Sequence, residues 1–372
     1  MSKVNILLTG ATGLIGRHIL YELIRLFNAD AKQVKIFLPI RSANGQSAQQ
    51  RLKQLFERKH VPEDIRNNKI SILHVIETDV STNESRRVLQ NSVDRVKDLI
   101  VIHSAGTTNL ATEEKMVADI VKGICGITNI IFDTLDNHMK KFIYISTAFV
   151  GGVRGGIIDN NLLNIDNRIY RNLYEKYKAI TEKELADRCI RSKIEIQILR
   201  PSIVCGRLID EKLYYTSKFD VFYAFARFMA LVKRTKYYLP LRIAVNKDSG
   251  LNIVPVDYVA KAVCKLIFDS VKEMNIVHSN CLPHTYYIPE ICRMIGVSNV
   301  QLVDSVPSDP NDLEKLYYRT VGAQFTPYVT TPKHEFDIRL LRRVMRNIEE
   351  PSVLKNFPSL LSFAIKNNFK LF

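Results

Sequence analysis

The chain of 372 residues holds only six cysteines, at positions 125, 189, 205, 264, 281 and 292, and no two form a Cys-x-x-Cys pair. That scatter argues against a disulfide framework or a zinc site and fits a reducing cytoplasm. Charge-free apolar runs long enough to span a bilayer are absent, so no transmembrane helix is expected. Internal repeats and low-complexity tracts are absent too. Acidic residues are the scarcer charge, 38 against 53 Lys plus Arg, for a net +15. The basic residues come in dispersed pairs such as Arg86–Arg87 and Lys233–Arg234, without a basic arm or a nucleic-acid motif, so no nucleic-acid partner is expected. The excess then reads as a solvated basic surface, as a surface for phosphorylated ligands or an acidic carrier protein, or as peripheral contact with anionic membranes.

The N-terminus carries the strongest positive signal. An apolar strand-like run from Val4 to Leu8 meets Thr9-Gly10-Ala11-Thr12-Gly13-Leu14-Ile15-Gly16, and an apolar helical pattern extends from Leu14 to Phe27. Strand, glycines spaced three apart and helix, in that order, predict a dinucleotide site in which free N–H groups and the helix dipole hold a pyrophosphate. Gly10 lets the chain turn, Gly13 leaves room for the cofactor and Gly16 lets helix and strand pack closely. The competing reading is a glycine-rich turn that binds nothing. Because this strand occupies the N-terminus, no signal peptide is expected.

Apolar runs recur at Val4–Leu8, Val34–Leu38, Ile70–Ile76, Leu99–His103, Phe142–Ile145 and Ile194–Leu199. Helical patterns at Leu14–Phe27, Ser47–Lys59, Glu114–Thr134 and Leu173–Arg191 separate most of them. The alternation predicts an α/β chain with a Rossmann-like, doubly wound parallel sheet. It breaks after Arg200-Pro201. Residues 206–250 are rich in Tyr and Phe, and Asn252–Asp257 reads as a return to the core, with Asp257 capping a helix to Phe268. The expected division is a dinucleotide-binding domain, 1–205 plus 251–282, and a smaller, discontinuous, mainly helical substrate lobe, 206–250 plus 283–372, over the C-terminal edge of the sheet.

Four further signals follow in order. Arg41 ends the second strand, where an NAD site usually has a carboxylate for the ribose hydroxyls; a guanidinium suits a 2′-phosphate and favours NADPH. Asp79 and Val80, after the third strand, suit an adenine amino group and ring face, the alternative being a helix-capping Asp. Ser104-Ala105-Gly106, after the fourth strand, lets the backbone approach the cofactor, while His103 reads as packed or cofactor-adjacent rather than catalytic. Finally, Tyr144-Ile145-Ser146-Thr147 closes the fifth strand, and Tyr174 and Lys178 stand four apart on one face of the following helix. A nearby ammonium is expected to lower the pKa of the Tyr174 phenol, Lys178 to bond the nicotinamide ribose, and Thr147 to orient the substrate oxygen. Tyr177 is a rival tyrosine, but its partner four residues on is Thr181.

With these residues in view, the chain resembles an extended short-chain dehydrogenase/reductase, and within it the group of fatty acyl-CoA reductases and thioester reductases. The matching pieces are Thr9–Gly16, Arg41 with Arg51-Leu52, Thr78-Asp79-Val80, Ile145–Phe149, Tyr174-x-x-x-Lys178, Leu199–Val204 and Val254–Val259, spanning about residues 1–270. Thr326-Pro327-Tyr328-Val329 is similar, more loosely, to bacterial members. The resemblance implies Tyr174 as proton donor, Lys178 as its partner, Thr147 rather than Ser146 as the active-site hydroxyl, and Pro201 to Ile203 along the nicotinamide. In one place the chain departs from the pattern: the helix after the fourth strand reads Gly123-Ile124-Cys125-Gly126 where the family often carries Asn, which puts an amide-mediated relay or helix kink there in doubt.

The leading expectation is an NADP(H)-dependent reductase of an acyl thioester, carried on CoA or an acyl carrier protein, or of a related apolar carbonyl. The apolar stretch Phe219–Val232 is a candidate wall for the acyl chain, with ordinary lobe packing as the alternative reading. Two other functions compete: nucleotide-sugar epimerisation or dehydration, or sterol-type ketone reduction, within the same family; and a non-catalytic NADP(H)-binding regulator. Arg41 argues against the sugar enzymes, and Thr147, Tyr174 and Lys178 argue against the regulator.

Overall fold

Seven parallel strands form the centre of the molecule: β1 (Val4–Thr9), β2 (Val34–Ile40), β3 (Leu73–Glu77), β4 (Leu99–His103), β5 (Met139–Ile145), β6 (Glu195–Pro201) and β7 (Glu273–Ile276). The computed structural model describes residues 3–27, 33–57, 60–66, 71–107, 117–165, 167–235 and 239–370. Across the sheet the strands run β3-β2-β1-β4-β5-β6-β7, so the direction of winding reverses between β1 and β4. That reversal opens a crevice at the carboxyl ends of the two strands, where ligands of such sheets bind. The doubly wound α/β fold read from the sequence is the one observed.

Both faces of the sheet are covered, which is why Leu7, Leu8, Ile100, Val101, Ile102, Phe142 and Ile143 are all buried along the central strands. One face packs on the Leu14–Phe27 and Val256–Leu266 helices. The other packs on the Glu84–Val93 helix, the Ile127–Leu135 helix and the Leu173–Ser192 helix. A separate apolar core gathers Phe222, Phe225, Tyr287, Tyr317, Phe325 and Phe357 from the later half of the chain. The helix Phe222–Arg234, inside the expected acyl-wall segment, supplies much of that second core. Phe336, Leu341 and Met345 join the sheet-side core instead, although their segment falls within the 283–372 span.

Several boundaries differ from expectation for physical reasons. Ile70, Lys59 and Glu114–Met116 lie outside the described residues. No apolar run marks β7 in the sequence, because Glu273 and Asn275 interrupt its pattern; both are absorbed by polar partners. Glu273 takes the Arg200 guanidinium at 2.6 Å, and Asn275 donates to the Asp159 carbonyl at 2.8 Å. Asn252–Asp257 returns as a short strand, Ile253–Pro255, paired with Ile203–Cys205 beside the main sheet. Asp257 is not the cap expected: its helix runs Val256–Leu266 with Pro255 at the N-cap and no side-chain cap, and besides the Tyr258 N–H the Asp257 carboxylate accepts the backbone N–H groups of Leu208, Ile209 and Asp210, so it ties down that segment.

Candidate active site

The glycine turn has the geometry its sequence demands. Gly10 adopts φ +73°, and a Cβ there would sit 2.7 Å from the Ala105 nitrogen. Gly16 passes so close to the turn that a Cβ would meet the Gly10 carbonyl oxygen at 2.2 Å. The Gly13 N–H closes the turn onto the same Gly10 oxygen at 2.8 Å. Side chains are thus excluded where backbone must approach, which is the shape a pyrophosphate needs.

Thr9, expected among the cofactor-binding residues, is fully buried. Its Oγ1 accepts the Ser104 and Ala105 N–H groups at 3.2 and 3.1 Å and lies 2.8 Å from His103 Nδ1. With those acceptor positions filled, the hydroxyl proton points to Nδ1, and His103 Nε2–H then faces Thr128 Oγ1 at 3.1 Å. Thr128 in turn donates to the Ile124 carbonyl at 2.7 Å. This network assigns the tautomer of a neutral imidazole. Burial, with Lys178 adding to it, pushes His103 down to about 3. His103 is therefore a strut between β1, β4 and the next helix.

That helix leaves α geometry at the register where the resemblance leads one to expect an Asn: Lys122–Gly126 is a π turn. π turns of this kind concentrate at functional sites. Gly123 lies against the crevice, its carbonyl 3.5 Å from where a Gly106 Cβ would be. The departure from regular helix is thus present without an Asn.

A single crevice of about 820 Å³ collects nearly all the expected groups. At one end lie Gly10, Thr12, Gly13, Leu14, Ile15 and Gly16, with Arg41, Asp79 and Val80. Along its length come Ser104, Ala105, Gly106, Thr147, Tyr174, Lys178, Pro201 and Ile203. Sequence reasoning left Arg51, Phe149, Lys218, Asp220, Val221 and Tyr328 off the site, yet they line it as well. Arg51 and Phe149 stand inside motifs already quoted; Tyr328 comes from a distant helix and had only the Thr-Pro-Tyr-Val signal.

At the far end from Tyr174, Arg51 donates to the Arg41 carbonyl at 2.5 Å and reaches Thr12 Oγ1 at 3.5 Å. Burial and the neighbouring Arg41 charge both lower the Arg51 guanidinium from its ordinary value. Two guanidinium groups thus stand side by side at the crevice wall. Arg41 also contacts Asp79 at 3.4 Å. Burial pushes the Asp79 carboxyl up, but hydrogen bonds from the Ser81 N–H and hydroxyl, together with Arg41, outweigh it and hold it below the usual carboxylate range.

The proton-transfer end is built on the Leu173–Ser192 helix. Asn172 caps it by accepting the Glu175 N–H at 3.0 Å. One turn in, Lys178 is buried and donates to the Ile145 carbonyl at 3.0 Å, with its ammonium 4.5 Å from the Tyr144 ring centre. Burial lowers Lys178 to about 8, against the opposing pull of Glu182. Thr147 is buried at the end of β5, where its Oγ1 accepts the Phe149 N–H at 3.4 Å. The expected lowering of the Tyr174 phenol is not what the protein alone produces. Burial, and after it the Glu175 carboxylate, raise it well above the ordinary value. A desolvated phenol beside an anion keeps its proton, which suits a donor.

Glu175 is itself fully buried and pairs with Arg171 at 3.3 Å. The Arg171 guanidinium lies 5.5 and 5.3 Å from the ring centres of Phe149 and Tyr328. Among the described residues no group of His, Cys, Asp and Glu is arranged to hold a metal ion. Nor is any helix among them long and apolar enough to cross a membrane.

The site can be set beside known proteins. The model of the male sterility protein family, a set of NAD-binding domains, matches residues 8–263. An isonitrile lipopeptide synthase of Mycobacterium tuberculosis is 29% identical over 155 residues, covering 39% of this chain. The match spans only 6% of that much longer relative. Among solved structures, the terminal R domain of the myxalamid PKS-NRPS pathway superposes with TM-score 0.68 at 18% identity, covering 99% of this chain and 92% of that one. The thiolation-reductase di-domain of an archaeal non-ribosomal peptide synthetase gives 0.65 at 18%, covering 100% and 92%. A UDP-glucuronic acid 4-epimerase from Bacillus cereus, solved with NAD, gives 0.63 at 17%, covering 98% and 100%. At these identities the superpositions establish a shared fold.

Proposed function

For a chain that belongs to the male sterility protein family, an extended short-chain dehydrogenase/reductase of the thioester-reductase type, we propose an NADPH-dependent reductase of acyl thioesters acting in the cytoplasm. The observation that carries this reading is one crevice with a glycine-lined pyrophosphate cradle and an arginine pair at one end, and Thr147, Tyr174 and Lys178 at the other.

The residues fit the cofactor. Gly10, Gly13 and Gly16 keep side chains out of the phosphate path, Arg41 and Arg51 take the 2′-phosphate, Asp79 takes the adenine amino group, and Val80 flanks the ring. Lys178 holds the nicotinamide ribose, with Pro201 and Ile203 along the nicotinamide face. When bound, the cofactor supplies the hydride to the carbonyl carbon. Thr147 orients the carbonyl oxygen, and Tyr174 gives it a proton as the C=O bond is reduced. The product from a thioester is a hemithioacetal, which collapses to an aldehyde and a free thiol. Charge supports a phosphopantetheine carrier, as CoA or an acidic carrier protein, because the chain has a net +15.

The sugar-nucleotide reading is weaker. Arg41, where a carboxylate for the ribose hydroxyls of NAD would be expected, argues against it, and Phe149, Val221 and Tyr328 add apolar and aromatic surface to the crevice beside Lys218 and Asp220. The test is NADPH oxidation with a panel of acyl-CoA and acyl-pantetheine thioesters, with the aldehyde trapped as its oxime. Tight NADPH binding without turnover on any carbonyl would point to a regulator instead.

A further inference from the structure

Tyr328 comes from the helix Val321–Val329, beyond the 8–263 span matched by the family model, yet its side chain lines the crevice. It is held from two directions. Its ring meets Phe149 edge-on, centres 5.3 Å apart at 87°. Its hydroxyl accepts a hydrogen bond from Asn172 Nδ2 at 2.9 Å and interacts electrostatically with the buried Glu175 carboxylate. Phe149 is two residues after Thr147, and Asn172 is two residues before Tyr174. The ring is thus fixed to both segments that carry the candidate proton-transfer groups, by one apolar and one polar contact.

The contacts around it leave little freedom. Arg171 lies over both rings, pairs with Glu175, and donates to Thr331 Oγ1 at 3.1 Å on the chain just past Tyr328. Tyr328 is 8% exposed, so its remaining open face is the one turned to the crevice. Tyr328 and Phe149 line the crevice together with Thr147 and Tyr174.

We propose that Tyr328 is a specificity-determining residue: with Phe149 it forms the wall against the first carbons of the acyl chain, and its hydroxyl positions the turn that carries Tyr174. This rests on the thioester reading above. A flat, immobile wall next to the carbonyl admits a straight chain and excludes a branch on the carbon beside it. A pocket that differs by one methylene discriminates by about 10- to 200-fold.

The test separates wall from fastening. Binding is measured by calorimetry with NADP⁺ present, using S-octyl-pantetheine and its isomer S-(2-methylheptyl)-pantetheine, branched at the carbon next to the sulfur-bearing one, thioethers that cannot be reduced. Wild type is expected to favour the straight isomer, and Tyr328→Ala to shift the branched-to-straight affinity ratio upward at least tenfold. Tyr328→Phe is expected to leave that ratio unchanged while lowering kcat on octanoyl-pantetheine about tenfold with the same Kd for NADPH. An unchanged ratio in Tyr328→Ala, or no binding of either isomer by wild type, overturns the proposal. Should Tyr328→Ala fail to fold, Tyr328→Leu gives the same reading with less lost volume. Failure of turnover with intact, isomer-selective binding would sink the reductase reading and leave the wall standing.

Discussion

The Lys178 ammonium donates to the Ile145 carbonyl at 3.0 Å and so joins the Leu173–Ser192 helix to the end of β5. Tyr174 rides on that helix one turn earlier, and Thr147 follows Ile145 by two residues. This hydrogen bond therefore ties together the two strips of chain that carry Tyr174 and Thr147. It also keeps the ammonium in a desolvated place.

Turnover should carry the pH signature of that desolvation. Lys178 is lowered from the ordinary lysine value to about 8, so it is charged below that pH and neutral above it. On the proposed reading, the charged form holds the nicotinamide ribose and supports Tyr174. The expected profile of kcat/KM for reduction is flat near neutrality and falls as pH rises through about 8. Lys178→Arg, charged throughout this range, should lose that limb in whatever activity it retains.

Tyr174→Phe removes one oxygen and the transferable proton. Loss of a general acid is expected to lower kcat by about 10²–10⁴-fold. NADPH affinity, followed by quenching of its fluorescence, should change little. An equal loss of both would make Tyr174 a structural residue.

Cofactor choice should reside in the arginine pair. Arg41→Ala or Arg51→Ala removes charge-assisted hydrogen bonds worth about 1.5–3 kcal/mol each, or about ten- to a hundredfold in NADPH affinity. NADH binding should hold steady, and Arg41→Asp should move the ratio further. An unchanged NADPH-to-NADH ratio in these variants would defeat the assignment.

Gly16→Ala should damage binding and folding together. Its Cβ would fall 2.2 Å from the Gly10 oxygen, so the turn must shift. Overpacking of this kind costs about 1–3 kcal/mol, visible as a lowered melting temperature. Added NADPH should restore less of the melting temperature than it gives to wild type.

Local pattern made much of the architecture legible. The Leu14–Phe27 helix begins where the glycine turn ends and was read to the residue, and Leu99–His103 was likewise marked by an uninterrupted apolar run. What escaped depends on contacts between distant residues. β7 hides Glu273 and Asn275 because Arg200 and Asp159 lie opposite them in the fold. Tyr328 meets Asn172 across 156 residues of sequence, a distance that no periodicity spans. Acidity is the least legible of all: spacing placed an ammonium one turn from Tyr174 and suggested a lowered phenol, while burial beside Glu175 raises it. Thr9 shows the same limit, for a residue in the glycine motif is turned inward to serve His103 and the β4 end.

The most direct test follows the hydride. NADPH carrying deuterium at C4, prepared separately in each stereochemical form, is incubated with the protein and octanoyl-pantetheine, and the trapped aldehyde is analysed by mass spectrometry. One form is expected to place a single deuterium on the aldehyde carbon, the other none, and Tyr174→Phe should suppress the product. Aldehyde free of deuterium from both forms, or NADPH bound and left unoxidised with every thioester and ketone offered, would contradict a reductase built on this crevice.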